Sequence, residues 1–253
     1  MKENKYDNST FFEKYSQMDR SKRGLDGAGE WETLQKMLPD FQDKTVLDLG
    51  CGYGWHCIYA LQHGAASVTG VDISQKMLAV AQEKLSQFPQ LKDRCTFTCC
   101  PIEDIHYPDA SFDAVISSLA FHYLESFDSI AKIVNKLLRD GGTFTFSVEH
   151  PVFTAYGSQD WYYDDQGNIL HFPVDNYYYE GKREACFLGE PVTKYHKTLT
   201  TYLNGLLTNG FQITGVQEPM PPARLLDTVP GMRDEMRRPM MLIVSAQKLG
   251  TKL

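Results

Sequence analysis

Short apolar runs alternate with amphipathic stretches along the first 150 residues of the chain. The apolar runs are rich in β-branched residues and end in glycine or polar turns, a pattern typical of buried strands. We predict strands at residues 44–49, 67–73, 96–100, 112–118 and 143–149. Helices are predicted at residues 55–63, after the capping residue Ser74, and at 129–139. Repeated strand–helix units with short links predict an α/β fold with a parallel sheet and helices on both faces.

The pattern changes after His150, where residues 151–193 hold ten aromatic side chains, roughly twice the number that the chain average of 12% would give. This composition predicts an insertion that covers another surface. It could act as a lid over a ligand, or it could form a dimer interface, where Tyr and Trp are also enriched. A helix at 198–209 and strands at 211–217 and 240–247 complete the chain. The proline-rich join at 218–239 is a candidate second lid, and we expect its Arg237 and Arg238 on a solvated face.

The composition is that of an ordinary globular protein, with 42% hydrophobic and 23% charged residues, a net charge of −7 and a pI near 5.5. A net negative chain is a poor non-specific binder of nucleic acid or of an anionic membrane. No run of about 18 apolar residues predicts a transmembrane helix, and the polar N-terminus lacks the apolar core of a signal peptide. We therefore expect a cytoplasmic protein with no nucleic-acid or membrane partner.

The six cysteines lack the CxxC spacing of zinc sites. In a reducing cytosol they are expected to be small hydrophobic residues without disulfides. The sequence therefore predicts no metal site.

The first predicted strand ends in the glycine-rich turn DLGCGYG, residues 48–54. Glycines let a ligand approach the backbone closely, and the N-terminus of the following helix favours a carboxylate or a phosphate. Asp72 ends the second predicted strand, at the position where an acid binds both hydroxyls of a ribose. The turn alone is also compatible with a plain structural turn capped by Asp48, but together with Asp72 it favours a nucleoside site.

The turn does not fit a dinucleotide-binding fingerprint, because the third glycine of that pattern would be residue 55, which is Trp55. No lysine follows that would form a phosphate-binding loop. Asp48 places a carboxylate beside the turn, which repels phosphates but suits an ammonium or a sulfonium group. A ligand that combines adenosine, an amino acid and a positively charged sulfur fits these three features.

The runs VLDLGCGYG, VTGVDIS and FDAVISSLAFHYL resemble those of class I S-adenosylmethionine-dependent methyltransferases, in particular the type-11 (UbiE-like) group. The resemblance covers the whole chain, and the segments GAGEW (27–31), SVEHP (147–151) and YHKT (195–198) resemble a bacterial subgroup of small-molecule methyltransferases. It implies a Rossmann-like seven-stranded sheet, mostly parallel with an antiparallel last strand, in one domain spanning 1–253. Its expected parts are an N-terminal helical cover (1–40), a cofactor-binding core (41–150), an aromatic-rich insertion acting as a lid (151–196) and a C-terminal helix with the last strands (197–253).

The resemblance also implies how S-adenosylmethionine, or its product S-adenosylhomocysteine, is held. The glycine turn would line the methionine part, with Asp48 near the amine, while Asp72 would hold the ribose. Many relatives have an acid two residues before Glu103 that accepts a hydrogen bond from adenine; here that position is Pro101, so Glu103 or a backbone carbonyl must substitute. The implied cofactor residues are Tyr15, Arg20, Asp48, Gly50, Cys51, Gly52, Gly54, Asp72, Ile73, Met77, Ile102, Glu103 and Ser118.

Methyl transfer from a sulfonium is an in-line displacement with an activated leaving group, so the enzyme's main task is positioning. A general base is needed only if the nucleophile carries a proton that it cannot lose. We expect a small-molecule acceptor between the strand exit at Glu149 and the aromatic insertion, beneath a cover that carries Tyr15. The candidate catalytic residues, each of which also has a purely structural interpretation, are His150, Tyr195, His196 and His122.

Other functions stay open at this point. A non-catalytic protein could retain the cofactor for sensing or scaffolding, and a dehydrogenase is disfavoured by Trp55. Nucleic-acid methylation is disfavoured because the chain has neither an Asn-Pro-Pro-aromatic motif nor a long basic run. Both a monomer and a homodimer fit the sequence.

Overall fold

A computed structural model describes residues 4–250 of the chain. Eleven strands are found within these residues. They are β1 (Thr45–Leu49), β2 (Ser67–Asp72), β3 (Cys95–Cys99), β4 (Phe112–Ser118), β5 (Leu138–Glu149), β6 (Tyr162–Tyr163), β7 (Ile169–His171), β8 (Gly181–Phe187), β9 (Glu190–His196), β10 (Phe211–Gln217) and β11 (Met241–Lys248).

Nine α-helices are found in the same described range. They are α1 (Ser9–Ser16), α2 (Asp19–Arg23), α3 (Trp31–Met37), α4 (Trp55–Gln62), α5 (Gln75–Ser86), α6 (Phe127–Leu137), α7 (Pro151–Ala155), α8 (Leu199–Thr208) and α9 (Ala223–Leu226). The predicted cap at Ser74 is confirmed, since its hydroxyl accepts from the Met77 amide at 3.1 Å to start α5. Thr198 caps α8 in the same way.

The main sheet has seven strands in the order β10-β11-β5-β4-β1-β2-β3. Neighbours from β5 to β3 are parallel, whereas β11 is antiparallel to both β5 and β10. The chain builds outward from β1 through β2 to β3, then returns to form β4 on the other side of β1. This order confirms the expected Rossmann-like sheet with an antiparallel last strand, and it creates a switch point between β1 and β4.

Helices cover both faces of the sheet, because successive strand residues point to opposite sides. Val46 belongs to the apolar core beneath α4 and α5, and its neighbour Leu47 to the core beneath α6 and α8. In the second core, three fully buried rings pack with centroids 4.9–6.2 Å apart. These rings are Phe127, Phe146 and Tyr202.

Most predicted boundaries differ from the structure by one or two residues, and β5 is the exception. The predicted helix end at Arg139 is wrong, because α6 ends at Leu137 and Leu138 already pairs with Phe112 of β4. A register irregularity after Phe112 accommodates Gly141, whose φ is +77°. Gly141 and Gly142, which follow the predicted helix, therefore lie within a strand.

The segment after β5 folds into α7 and two separate antiparallel hairpins, β6–β7 and β8–β9. Its aromatic residues do not form one continuous wall. Tyr178 and Tyr179 are 88% and 74% exposed, whereas Phe153 is buried. Among the ten, only Phe187 lines the cavity described below, so the composition of the segment overstated its share of the pocket.

Arg238 joins the two candidate lid segments. Its guanidinium carbon lies 4.5 Å, 5.0 Å and 4.7 Å from the ring centroids of Phe153, Trp161 and Phe172, and its nitrogens donate to Glu235. Only 9% of Arg238 is exposed, so the expectation of a solvated face is wrong for this residue. A cation enclosed by aromatic faces instead fixes the 218–239 segment to the insertion.

Candidate functional site

A cavity of about 540 Å³ lies beyond the carboxyl ends of β1, β2, β4 and β5. Open α/β sheets bind ligands at this edge, near the switch point in strand order. The volume falls in the range of about 300–1,000 Å³ that is usual for small-molecule sites. The turn after β1, the N-terminal residues and the β8–β9 hairpin all contribute to its wall.

The glycine turn leaves open space for a ligand. The amides of Gly50 and Cys51 both donate to the carbonyl of Val71, at 2.8 Å and 2.9 Å, and so fix the turn to β2. Gly52 has a φ of +52°, and a Cβ built there would meet no protein atom within 4 Å. At Gly54 a Cβ would lie 3.0 Å from a phenylalanine ring, so that glycine serves close packing instead. Gly52 is the point where a ligand can reach the backbone.

Asp72 lies at the end of β2, and each of its carboxylate oxygens accepts one backbone hydrogen bond. Oδ2 accepts from the Gly52 amide and Oδ1 from the Ser74 amide, each at 2.9 Å. Burial raises the pKa of the Asp72 carboxyl, although these amide donors oppose the shift. Each oxygen keeps a further lone pair, so the carboxylate can accept from two adjacent ribose hydroxyls.

The wall beside Asp72 is apolar and includes Ile73, Met77 and Ile102. Such side chains can enclose a flat aromatic base between them. Glu103 also lines this part of the cavity.

The N-terminal segment closes over the same region. The Asn4 side chain donates to the Ile73 carbonyl at 3.1 Å, and Asp7 Oδ1 accepts from the Ser74 hydroxyl at 2.6 Å and from the Lys76 amide at 3.1 Å. Asp7 thereby satisfies an amide at the N-terminus of α5. These contacts hold the cover against the helix that follows Asp72.

Three tyrosines meet beneath this cover: Tyr6 and Tyr15 belong to the N-terminal segment, and Tyr123 follows β4. The Tyr6 ring lies edge-on to Tyr15 with centroids 5.2 Å apart, and its hydroxyl is 3.1 Å from that of Tyr123. All three line the cavity. The sequence analysis identified Tyr15 alone, because Tyr6 lies outside the motifs, and Tyr123, although it lies in the FDAVISSLAFHYL run, meets Tyr6 only through the fold.

Glu30 is a site residue that sequence reasoning missed, although it lies in the GAGEW segment. Its Oε1 pairs with Arg20 and accepts from the Ser118 hydroxyl at 3.5 Å, while the buried Oε2 has no hydrogen-bond partner among the described residues. The residue is 2% exposed and lines the cavity. A buried carboxylate oxygen without a donor is costly, and it indicates a place for a ligand donor.

A polar cluster lies at the exit of β5. Glu149 Oε1 accepts from Lys194 Nζ at 2.6 Å, and its Oε2 accepts from Gln159 at 2.7 Å. Burial alone would raise the pKa of the Glu149 carboxyl, but the neighbouring His122, the Lys194 ammonium and the hydrogen-bond donors together outweigh it, so this pKa is lowered. Glu149 therefore presents an ionised carboxylate to the cavity.

His122 lies beside this carboxylate, with Nε2 3.9 Å from Glu149 Oε1. Its Nδ1 accepts from the Glu149 backbone amide at 3.4 Å, which assigns the ring proton to Nε2. Burial lowers the pKa of His122 to about 4. The ring is thus neutral at physiological pH and offers a hydrogen-bond donor at the cavity wall. Tyr195 lines the wall nearby.

The other two candidate histidines do not line the cavity. His150 caps α7 by accepting from the Val152 amide at 3.0 Å, and its Nε2 lies 2.8 Å from Glu218. His196 is fully buried between the Thr154 hydroxyl at 2.7 Å and a backbone carbonyl at 2.9 Å. Both rings are engaged in contacts that hold the insertion and the 218–239 segment in place.

Asp48 also lies away from the cavity wall. It is 1% exposed, and its Oδ2 accepts from the Cys57 thiol at 3.3 Å. Burial raises the pKa of this carboxyl to about 7. Cys51 and Gly54 are likewise absent from the lining, since they support the turn from beneath. The remaining ten implied cofactor residues line the cavity together: Tyr15, Arg20, Gly50, Gly52, Asp72, Ile73, Met77, Ile102, Glu103 and Ser118.

Between residues 4 and 250, no cluster of three or more His, Cys, Asp or Glu side chains could hold a metal ion. Within the same range, no helix combines the length and the apolar character needed to cross a membrane.

Comparison with known proteins gives a consistent result. A family model described as a methyltransferase domain matches residues 47–146. A crystal structure from Listeria monocytogenes, assigned to the S-adenosylmethionine dependent methyltransferases, is 55% identical, covers 90% of this chain and 100% of its own, and superposes with a TM-score of 0.83.

Two further relatives match over nearly their full length. The structure of an S-adenosylmethionine dependent methyltransferase from Mesorhizobium loti is 40% identical, covers 89% of this chain and 100% of its own, and has a TM-score of 0.80. An uncharacterised protein of Haemophilus influenzae is 34% identical over 250 residues, which are 96% of each chain. The similarity thus extends through the cover, the insertion and the C-terminal strands.

Proposed function

Because this chain belongs to the class I S-adenosylmethionine-dependent methyltransferases, of the type-11 group, we propose that it methylates a small molecule held in the cavity. The cofactor is that of the family, S-adenosylmethionine. The observation that carries the proposal is that one cavity is lined both by the glycine turn with Asp72 and by a separate polar wall at Glu149.

The residues around the cavity fit this cofactor. The open space at Gly52 admits a ligand to the backbone, and Asp72 has free lone pairs for two ribose hydroxyls. The unpartnered oxygen of Glu30 and the guanidinium of Arg20 suit a zwitterionic amino acid. Ile73 and its apolar neighbours suit adenine.

S-adenosylmethionine, when bound, supplies a methyl group on a positively charged sulfur. In the proposed mechanism, the chain's task is to hold an acceptor atom in line with that methyl group and to exclude water. The glycine turn and Asp72 fix the cofactor, and the tyrosine cover excludes solvent. Positioning of this kind can contribute several kcal/mol, on the scale of the ~7–11 kcal/mol of well-oriented intramolecular reactions.

We assign the acceptor side to His122, Glu149 and Tyr195. Neutral His122 would donate from Nε2 to an acceptor lone pair, and Glu149 would accept a hydrogen bond from the acceptor. The low pKa of His122 makes it a poor general base near pH 7. His150 and His196 have no place in this proposal, because their contacts lie outside the cavity.

The closed surroundings favour a small acceptor. The N-terminal cover and the β8–β9 hairpin both line the cavity, and Lys14 of α1 joins the two segments by pairing with Glu190 of β9 at 2.9 Å. A large polymer would have to displace this bridge, whereas a metabolite fits within. The net charge of −7 also disfavours nucleic acid as the acceptor.

The test is to incubate the protein with methyl-labelled cofactor and a cell metabolite extract, and to identify the labelled product by mass spectrometry. The wild-type chain should label a small molecule, and the Asp72→Ala variant should lose this labelling because it binds the cofactor more weakly. Calorimetry should show that the variant binds S-adenosylhomocysteine at least about tenfold more weakly than the wild type. Two charge-assisted hydrogen bonds of roughly 1.5–3 kcal/mol each justify that figure, at about 1.4 kcal/mol per decade.

A matched control is Asp109→Ala, since Asp109 is an exposed acid that pairs with Lys136 at 3.4 Å and lies before the amino end of β4, at the edge of the sheet opposite the cavity. It should label like the wild type. If S-adenosylhomocysteine binds but no extract yields a labelled product, the chain is a cofactor-binding protein without transferase activity. Labelled RNA or protein in place of a metabolite would overturn the small-molecule assignment.

A further inference from the structure

The Arg20–Glu30 pair lies at one end of the cavity, two strands away from the ribose site. Asp72 ends β2, and Ser118, which contacts Glu30, ends β4. These strands flank β1, so their ends are about 10 Å apart at the usual spacing of 4.7–4.9 Å. A ligand whose ribose lies at Asp72 and which crosses the glycine turn after β1 therefore arrives at Glu30 with its far end.

One carboxylate oxygen of Glu30 has hydrogen-bond partners and the other has none within residues 4–250, which indicates the kind of ligand group that could bind there. Its Oε1 is engaged by the guanidinium of Arg20 and by Ser118, while Oε2 is buried and has no donor among the described residues. Only a hydrogen-bond donor can complete it, and a cationic donor does so most favourably. The nearby guanidinium can at the same time bind an anionic group.

An α-amino acid carries its ammonium and its carboxylate on one carbon, so its two charges match an adjacent carboxylate and guanidinium. Asp48, which the motif places near the amine, also has a buried oxygen without a partner among the described residues, but Asp48 does not line the cavity. Glu30 combines an unpartnered carboxylate oxygen with a place in the cavity wall, so it is the better candidate for the amine contact.

We propose that Glu30 binds the α-ammonium group of the cofactor through Oε2, while Arg20 binds its carboxylate. This assignment rests on the proposed function. It implies that the N-terminal segment distinguishes a cofactor with a complete amino acid end from analogues that lack part of it. Glu30 is then a binding residue of the methyltransferase site, supplied by the cover and not by the glycine turn.

The test compares two ligands that differ by one group. S-adenosylhomocysteine carries the amine, and S-adenosyl-4-thiobutyrate lacks only that amine. Calorimetry on the wild-type protein should give an affinity at least about tenfold weaker for the thiobutyrate. The variant Glu30→Gln should lose at least about tenfold for S-adenosylhomocysteine, but should bind the thiobutyrate within about twofold of wild type.

The control is Glu32→Gln, an exposed acid two residues away on α3 that should bind both ligands as the wild type does. Equal wild-type affinity for the two ligands overturns the assignment, and this result needs no variant to fold. Equal losses for both ligands in Glu30→Gln would mean that Glu30 only supports Arg20, which also overturns it. If the wild type binds neither ligand, the proposed function itself fails and the assignment with it.

Discussion

At the scale of single residues, a substitution at Gly52 can distinguish an effect on protein stability from an effect on ligand binding. Its Cβ position is empty within 4 Å, so a methyl group there would clash with nothing in the protein. Alanine in this left-handed conformation costs about 1–2 kcal/mol of stability in any case. Loss of binding beyond that cost must therefore come from the ligand.

We predict that Gly52→Ala weakens S-adenosylhomocysteine binding at least about tenfold, because the new methyl group occupies the space where the ligand meets the backbone. Gly167→Ala is the matched control, since Gly167 has a φ of +83° and an equally empty Cβ position in the turn between β6 and β7. Both variants should lose similar stability in urea denaturation, and only Gly52→Ala should lose affinity by calorimetry. Equal affinity in the two variants would show that the turn is structural.

The residue scale also shows what the sequence could predict. Asp72 and the glycine turn were identifiable because strand ends and glycine spacing are local signals. Glu30 was not, because its meaning depends on Ser118, 88 residues later in the chain, and on an oxygen left without a donor. His150 and His196 resembled catalytic residues in sequence, yet the direction that each ring faces is set by segments that fold against it.

At the scale of elements, the strands and helices of the core were predictable because burial and capping repeat along them. The insertion was not, because its ten aromatic residues have four different fates: exposure, packing around Arg238, packing against His196 and a place at the cavity wall. Composition records how many aromatic residues there are, but not which partner covers each one. The three rings that enclose Arg238, here called its aromatic box, belong to residues far earlier in the chain: Phe153, Trp161 and Phe172.

That box predicts a specific loss of stability. Arg238→Ala should destabilise the protein by about 2–3 kcal/mol in urea denaturation, because it removes a desolvated cation–π contact and opens a gap between three rings. Arg233→Ala removes an exposed arginine of the same segment and should change stability by less than about 0.5 kcal/mol. Limited proteolysis should cut the β6–β7 hairpin faster only in Arg238→Ala. Identical cutting patterns would mean that the box does not hold the two segments together.

At the scale of the whole molecule, the cavity brings together parts that are distant in sequence. The cover contributes Tyr6, the core Asp72, the β8–β9 hairpin Val192 and the last strand Met241. A ligand that touches all four parts binds the native chain and not the unfolded one, so it stabilises the entire fold.

We therefore predict that S-adenosylhomocysteine raises the Tm of the wild-type protein. At a ligand concentration one hundred times Kd the gain is about 2.7 kcal/mol, which for a chain of this length corresponds to about 5–10 °C. Calorimetry or dye-based melting measures the shift, and hydrogen exchange should slow in the cover and the β8–β9 hairpin but not in β6–β7. NAD is the control ligand, since Trp55 replaces the third glycine that its pyrophosphate loop requires. A Tm shift with NAD that equals the shift with S-adenosylhomocysteine would contradict the cofactor assignment. The cavity would then recognise adenosine alone, and contacts of Arg20 and Glu30 with the amino acid end of the ligand would contribute nothing to binding.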